Sequence, residues 1–275
     1  MQSIIVAGGD IRLSHTAEAL RVQGNTVQYT PEADLRLLQS ADVLVLPVPV
    51  SRDGIHLWTP QSENAVTLAE AASVVRKDCR VFCGMPNKET ANLFFGRGIR
   101  LYDYAAREEF AVRNAVPTAE GVVGILMELL PVTLRGAQIT VTGYGRTARA
   151  CAKVLSAMGA HVTIAARRCS ALAAANADGY DGLYLRELHR FIAEADAVVN
   201  TVPEPVLRTE ILSAMRSDCP IVEIASAPYG TVPAETAHFG IRVRYAPSLP
   251  GKVAPKTAGI IIADTVLNIL REGSE

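Results

Sequence analysis

The sequence predicts an α/β protein made of two doubly wound domains with parallel sheets. Two observations carry this. Short β-branched runs alternate with longer amphipathic stretches along the chain, the pattern of strands joined by crossover helices into a sheet covered on both faces. The length, 275 residues, suits two modest domains, and 49% hydrophobic against 20% charged residues supplies a core for each. That composition excludes disorder, a collagen-like chain and a disulfide-stapled miniprotein. The 27 basic and 28 acidic side chains leave a formal charge of −1. Nucleic acid and anionic membranes are therefore not expected partners, since both need a basic excess or patch.

In chain order, the first strands are expected at SIIVAG (3–8), NTVQYT (25–30), DVLVLP (42–47), CRVFCG (79–84) and IRLYDY (99–104). Helical patterns lie between them near 14–23, 62–76 and 88–95. These form a first domain over 1–116. PTAEGVVGILMELL (117–130) then predicts a long helix, with Pro117 in its first turn, where a missing N–H is harmless, and Pro131 ending it. The second domain, 117–255, has strands at QITVTG (138–143), HVTIAA (161–166), GLYL (182–185), DAVVNTV (196–202), IVEIAS (221–226) and RVRYA (242–246). A proline-rich loop, APSLPGKVAPK, leads into a last helix over 256–271.

The amino terminus has no basic leader before a short apolar run, and no apolar stretch approaches the roughly 18–20 residues of a membrane span. Five scattered cysteines, Cys79, Cys83, Cys151, Cys169 and Cys219, fit inert thiols in a reducing compartment. Cys79 and Cys83 share a strand and no second Cys or His pair accompanies them. Neither a metal site nor membrane association is expected, and the cytoplasm is the expected compartment.

The sharpest local signal is QITVTGYGRTARACAKVLSAMGAHVTIAAR. Gly143-Tyr144-Gly145-Arg146-Thr147-Ala148 is a GxGxxA pattern that follows a strand and opens a helix. Gly143 allows the tight turn, Gly145 lets the backbone approach a pyrophosphate, and Ala148 lets helix pack on strand. The second strand and the Gly159 turn also sit where a Rossmann-like dinucleotide unit requires them. A unit that takes NAD places a carboxylate about 20 residues on, against the ribose 2′-hydroxyl. Here the chain has Arg167-Arg168 and no acid before Asp178. Two guanidinium groups suit a 2′-phosphate, so NADP(H) is the expected cofactor. Thr201, Val202 and Pro203 after one strand, and Ala225 and Ser226 after the next, end at the sheet edge where ligands collect. By analogy with two-domain nicotinamide enzymes, a cleft lies between the domains and the last helix, with residues 256–275, crosses back to the first.

Together the motifs make the chain resemble the A-subunit family of dipicolinate synthase. The matching segments are Gly8-Gly9-Asp10 with Arg12, Asn114 with Pro117-Thr118-Ala119-Glu120-Gly121, and the Gly143–Thr147 loop. They continue with Thr163 to Arg167, Asn200 to Pro203, and Leu249-Pro250-Gly251 leading into Ala254-Pro255-Lys256-Thr257-Ala258-Gly259. The resemblance implies NADP-linked oxidation of 4-hydroxytetrahydrodipicolinate, or of the dihydrodipicolinate left by water loss, to pyridine-2,6-dicarboxylate in the mother-cell cytoplasm of a sporulating bacterium. It also implies a partner, a B subunit that looks flavin-binding. The sequence is silent on whether the chain forms a homo-oligomer.

A dianionic substrate needs cationic clamps, for which Arg12 and Lys256 stand first and Arg107 and Lys252 second. Proton transfer needs an acid–base group. Asp10 and Glu120 are the candidates, with Asn114 and Thr118 as orienting hydrogen-bonders. Each acid also has a structural reading: Asp10 as the cap of the first helix, Glu120 as a first-turn acid beside Thr118. A 2-hydroxyacid dehydrogenase of this shape would carry a histidine near 247–256, and none is present. Two alternatives stay open: a non-catalytic NADP(H)-binding sensor or assembly protein, and another NADP-linked imine reductase or dehydrogenase.

Overall fold

The computed structural model describes residues 3–63 and 65–273. The first elements are β1 (Ser3–Ala7), α1 (Ile11–Val22), β2 (Thr26–Thr30), α2 (Leu35–Ser40), β3 (Val43–Val45), α3 (Leu68–Val74), β4 (Arg80–Cys83), α4 (Lys88–Phe95) and β5 (Leu101–Asp103). The long helix α5 (Glu108–Leu129) leads to β6 (Gln138–Thr142), α6 (Arg146–Ala157), β7 (His161–Ala166), α7 (Cys169–Ala177) and β8 (Asp181–Tyr184). Then come β9 (Ala197–Asn200), α8 (Thr209–Leu212), β10 (Ile221–Glu223), α9 (Pro233–His238), β11 (Val243–Tyr245), α10 (Leu249–Val253) and α11 (Pro255–Glu272). The chain forms two compact units: Met1–Asn114 with Pro250–Glu275, and Ala115–Leu249.

The first unit has an all-parallel sheet in the order β2-β1-β3-β4-β5. Successive strand residues point to opposite faces. Ile5, Leu44 and Val81 pack with Leu38, Leu68, Ala71 and Phe94 of α2 to α4. Ile4, Val6, Val43, Val45 and Phe82 face the other way, onto Leu13, Ala17 and Leu20 of α1 and Ile261, Ile262 and Val266 of α11. The last helix is therefore part of the first unit's core. Asp10 caps α1, its carboxylate accepting from the Arg12 amide at 3.1 Å, and Thr67 and Glu70 form a reciprocal capping box that fixes the start of α3.

The second unit's sheet runs β11-β10-β9-β6-β7-β8, again all parallel. Counted from its own first strand this is the order 3-2-1-4-5-6 of the dinucleotide-binding fold, with its switch point between β6 and β9. One face packs Ile139 and Val141 against Ala148, Cys151, Ala152 and Leu155 of α6 and Val122 and Leu126 of α5. The other packs Ala165, Val198 and Ile221 against Leu188, Ile192, Ile211 and Leu212.

Several expectations need correction. The helix expected at 117–130 begins nine residues earlier, at Glu108, and Pro117 lies in its interior. Tertiary burial of Ala115, Ala119, Val122 and Leu126 outweighs the helix bond that proline removes. Glu120 is consequently a mid-helix residue and not a first-turn acid. The proline-rich segment is not a loop throughout, because Leu249–Val253 forms α10. The helix expected near 62–76 is shorter, α3 running Leu68–Val74 behind its capping Thr67, and the short α2 carried too little periodicity to be expected. Four of the five thiols are buried and Cys169 is exposed; burial pushes Cys79 and Cys151 up to about 12.

Candidate functional site

In the second unit, β6 ends at Gly143, whose φ of +78° is the left-handed turn that an L side chain rarely adopts. A Cβ there would also stand 3.0 Å from Val202 and 3.1 Å from Thr201. Gly145 precedes α6 with no side-chain cap, and nothing lies within 4 Å of where its Cβ would be. The backbone beside Gly145, at the start of a twelve-residue helix, is thus open, as the cradle for a pyrophosphate needs. Gly143, Tyr144, Gly145, Arg167, Arg168, Thr201, Val202 and Pro203 line one open cavity of about 430 Å³ with Ala165, Ala166, Ala171 and Leu185. Arg146 and Thr147 lie in the first turn of α6. Ala225, buried, and Ser226, exposed, follow β10 and do not line this cavity.

Arg167 is exposed and pairs with Glu204 at 2.6 Å, a partner that sequence reasoning missed. The guanidinium holds the Glu204 carboxyl below its ordinary value. Arg168 is exposed beside it at the start of α7. Asp178, the first acid after β7, accepts from the Tyr144 hydroxyl at 2.6 Å and so fixes the glycine-loop tyrosine.

A buried polar network ties the carboxyl ends of β6, β9 and β10 together. Asn200, fully buried, accepts from the Thr142 hydroxyl and donates to Glu223 at 2.6 Å and to the Val202 carbonyl at 3.0 Å. Glu223, only 1% exposed, also accepts from the amides of Ala225 and Gly230 and from the Thr231 hydroxyl. Burial raises its pKa against the pull of those donors. The signal for it was present in IVEIAS, a lone acid inside an apolar strand.

In the first unit, Asp10 and Arg12 meet at the switch point between β1 and β3. Arg12 is 6% exposed. It donates through Nε to Asp10 Oδ1 at 2.8 Å and through Nη2 to the Val48 carbonyl at 2.8 Å. Asp10 is half-buried, and its Oδ2 accepts no hydrogen bond from the described residues. A Cβ on Gly251 would stand 2.9 Å from Arg12 Nε and 3.2 Å from Asp10 Oδ2, so α10 approaches this pair closely. Lys252 and Lys256 are exposed on α10 and α11. Arg107 does not serve as a free clamp, because Glu109 and Glu272 hold it at 2.8 and 2.6 Å. Asn114 and Thr118 are half-buried, one turn apart on the same face of α5. Glu120 is exposed, and a spacing of two residues puts it on the opposite side from Thr118.

Strand order and the glycine turn ahead of α6 define the second unit as a dinucleotide-binding domain. Residues 118–229 accordingly match the family described as "D-isomer specific 2-hydroxyacid dehydrogenase, NAD binding domain", and residues 3–105 match the family of the N-terminal domain of the dipicolinate synthase A subunit. Over 235 residues the chain is 31% identical to the A subunit of dipicolinate synthase from Bacillus subtilis (strain 168), spanning 85% of this chain and 79% of that protein. The crystal structure of the dipicolinate synthase A chain from Bacillus subtilis superposes with a TM-score of 0.88 at 29% identity, covering 98% of this chain and 96% of that one. The corresponding crystal structure from Bacillus halodurans gives 0.87 at 26% identity, with 98% and 97% covered. The chain belongs to the A-subunit family of dipicolinate synthase.

Proposed function

We propose that this protein is the NADP-dependent oxidoreductase component of a dipicolinate synthase. The reaction is oxidation of dihydrodipicolinate, formed by loss of water from 4-hydroxytetrahydrodipicolinate, to pyridine-2,6-dicarboxylate. The carrying observation is that one chain holds both an open glycine-loop cradle, in its second unit, and a buried Arg12–Asp10 pair, at the switch point of its first. Aromatisation breaks two C–H bonds: one hydrogen leaves as hydride and the other as a proton. When bound, the nicotinamide supplies the hydride acceptor.

The chain's own residues do the rest. Gly143, Tyr144, Gly145, Arg146 and Thr147 hold the pyrophosphate, with Thr201, Val202, Pro203, Ala225 and Ser226 toward the nicotinamide half. Arg167 and Arg168 take the 2′-phosphate. Glu204 is no obstacle to this, since an ion pair between two exposed groups is worth about 0–1 kcal/mol and a 2′-phosphate offers more charge. Arg12 and Lys256 grip substrate carboxylate. Asp10, whose Oδ2 is open, accepts the proton, with Asn114 and Thr118 orienting the ring, while Glu120, exposed on the opposite side of α5 from Thr118, takes no part. A B subunit completes the enzyme in the cytoplasm of the sporulating mother cell.

The test is direct. Purified chain, NADP and the cyclic precursor are mixed with and without the B subunit, and the ultraviolet absorbance of the pyridine product is followed. Product formed by the chain alone or by the pair supports the reading. Dependence on B together with full activity of an Asp10→Asn, Arg12→Gln double variant would move the chemistry to the partner. Reduction of a ring imine without aromatisation would point to an imine reductase.

A further inference from the structure

Trp58 is the single tryptophan of the chain, and neither of the motifs above uses it. Its carbonyl accepts from the Gly9 amide at 2.7 Å, and a Cβ on Gly8 would press to 3.0 Å from that same oxygen. Gly8 also has a φ of +70°. The Gly8-Gly9 turn is therefore the seat of the Trp58 segment, directly ahead of Asp10 and Arg12. Two guanidinium groups lie over the indole ring, Arg52 at 4.3 Å and Arg12 at 5.8 Å from its centroid. Their central carbons are thus at most about 10 Å apart, the sum of those two distances.

The two cations differ in what they already hold. Arg12 is engaged through Nε and Nη2 and keeps Nη1 without a partner among the described residues. Arg52 is exposed and has no carboxylate partner among them. Its neighbour Asp53 is fully committed within its own turn, accepting from Ser51, the amides of Ile55 and His56, and His56 Nδ1 at 2.7 Å. All of this stands at the β1/β3 switch point, where ligands of such sheets collect.

We propose that Arg52 and Trp58 form the second carboxylate subsite of the first unit. A planar ring bearing two carboxylates lies beside the indole, one carboxylate on Arg12 and the other on the Arg52 fork. The proposal rests on the dicarboxylate reading above. It supplies the second clamp that Arg107, tied to two glutamates, does not. The indole holds both guanidinium groups over it, and their N–H forks suit a flat dianion, because paired hydrogen bonds hold each of its ends. A carboxylate arriving at Arg52 need displace no acid.

The only tryptophan is also the reporter. Pyridine-2,6-dicarboxylate and pyridine-2-carboxylate are titrated into the full chain. Indole emission is excited at its red edge, where the pyridines do not absorb, with calorimetry in parallel. The dicarboxylate is expected to quench Trp58 saturably and to bind at least tenfold more tightly than the monocarboxylate. Arg52→Gln is expected to weaken the dicarboxylate about tenfold and to remove the preference over the monocarboxylate. Arg52→Lys recovers part of it, and neither variant shifts the thermal midpoint. Trp58→Phe abolishes the signal while calorimetry still detects binding. Absence of saturable binding, calorimetric binding without quenching, or unchanged affinity in Arg52→Gln would each overturn the subsite. Oxidation of the precursor is a separate readout: turnover without a Trp58 response sinks the subsite alone, and quenching without turnover sinks the reaction and leaves the subsite standing.

Discussion

Arg167 shows how a local partner and a ligand can compete for one side chain. Paired with Glu204 in the open, it gives up little when a phosphate arrives, whereas charge-assisted bonds to that phosphate are worth about 1.5–3 kcal/mol. Arg167→Asp is accordingly expected to weaken NADPH binding by tenfold or more while NADH changes little, measured by fluorescence titration; equal NADPH affinity would return the assignment to NAD. Asp10 caps α1, pairs with the buried Arg12 and is the proposed proton acceptor, and one substitution tests the last of these. Asn is as good a helix cap and still accepts from Arg12 Nε, so Asp10→Asn should stay folded with a midpoint lowered by the lost charge opposite buried Arg12, and should lower kcat by about a hundredfold to ten-thousandfold, the usual share of an acid–base group. Glu223 makes a pH statement. Its folded pKa is raised, so the native state holds the proton longer than the unfolded chain does. Stability therefore falls as pH rises from the ordinary carboxylate value, about 4.3, through the raised one. Glu223→Gln should flatten that stretch in pH-dependent urea unfolding, and should lower stability near neutrality by about 1–3 kcal/mol because its NH₂ would face donors from Gly230 and Thr231.

Between elements, α1 and α11 approach closely at Gly259. A Cβ on Gly259 would stand 2.6 Å from the Arg12 carbonyl and from His15 Cβ, and Thr16 donates to the Gly259 carbonyl at 3.1 Å. Both clashes involve helix backbone or its stem, so the helices must separate to relieve them. Gly259→Ala is expected to cost about 1–3 kcal/mol, in line with overpacking elsewhere, read as a lower urea midpoint with an unchanged slope. An unaltered midpoint would mean the helices slide freely. The motifs that carried the family resemblance gain a mechanical meaning here. GGD-x-R supplies Arg12 and Asp10, PG-x-V brings Gly251 so near that an added Cβ would stand 2.9 Å from Arg12 Nε, and PKTAG brings Gly259 against the helix that follows them. Pro117 is the counterexample. Local rules put it at a helix start, and the buried face of α5 carried the helix nine residues past it.

For the chain as a whole, the two sheets divide the work by strand order: 2-1-3-4-5 in the first unit and 3-2-1-4-5-6 in the second, counted from its own first strand. Each has one switch point, and each candidate site stands at one. A ligand that binds only the folded chain stabilises it by about 2.7 kcal/mol at a hundredfold excess over its Kd. NADPH at that excess should therefore raise the thermal midpoint by several degrees, and NADH at the same concentration should raise it less; equal shifts would argue against a 2′-phosphate site.

Hydrophobic periodicity fixed the strands within one to three residues, and the GxGxxA spacing placed the glycine turn between β6 and α6, because both are local: they depend on neighbours in the chain. Arg107 and Arg52 could not be ranked that way. Arg107 is neutralised by Glu272, 165 residues distant, and Arg52 gains its place from an indole seated on the Gly8-Gly9 turn. Glu204 across from Arg167, and the Asn200–Glu223 network, likewise join residues far apart in the chain. Charge pairing and burial are set by distance in space, and the fold alone supplies those distances.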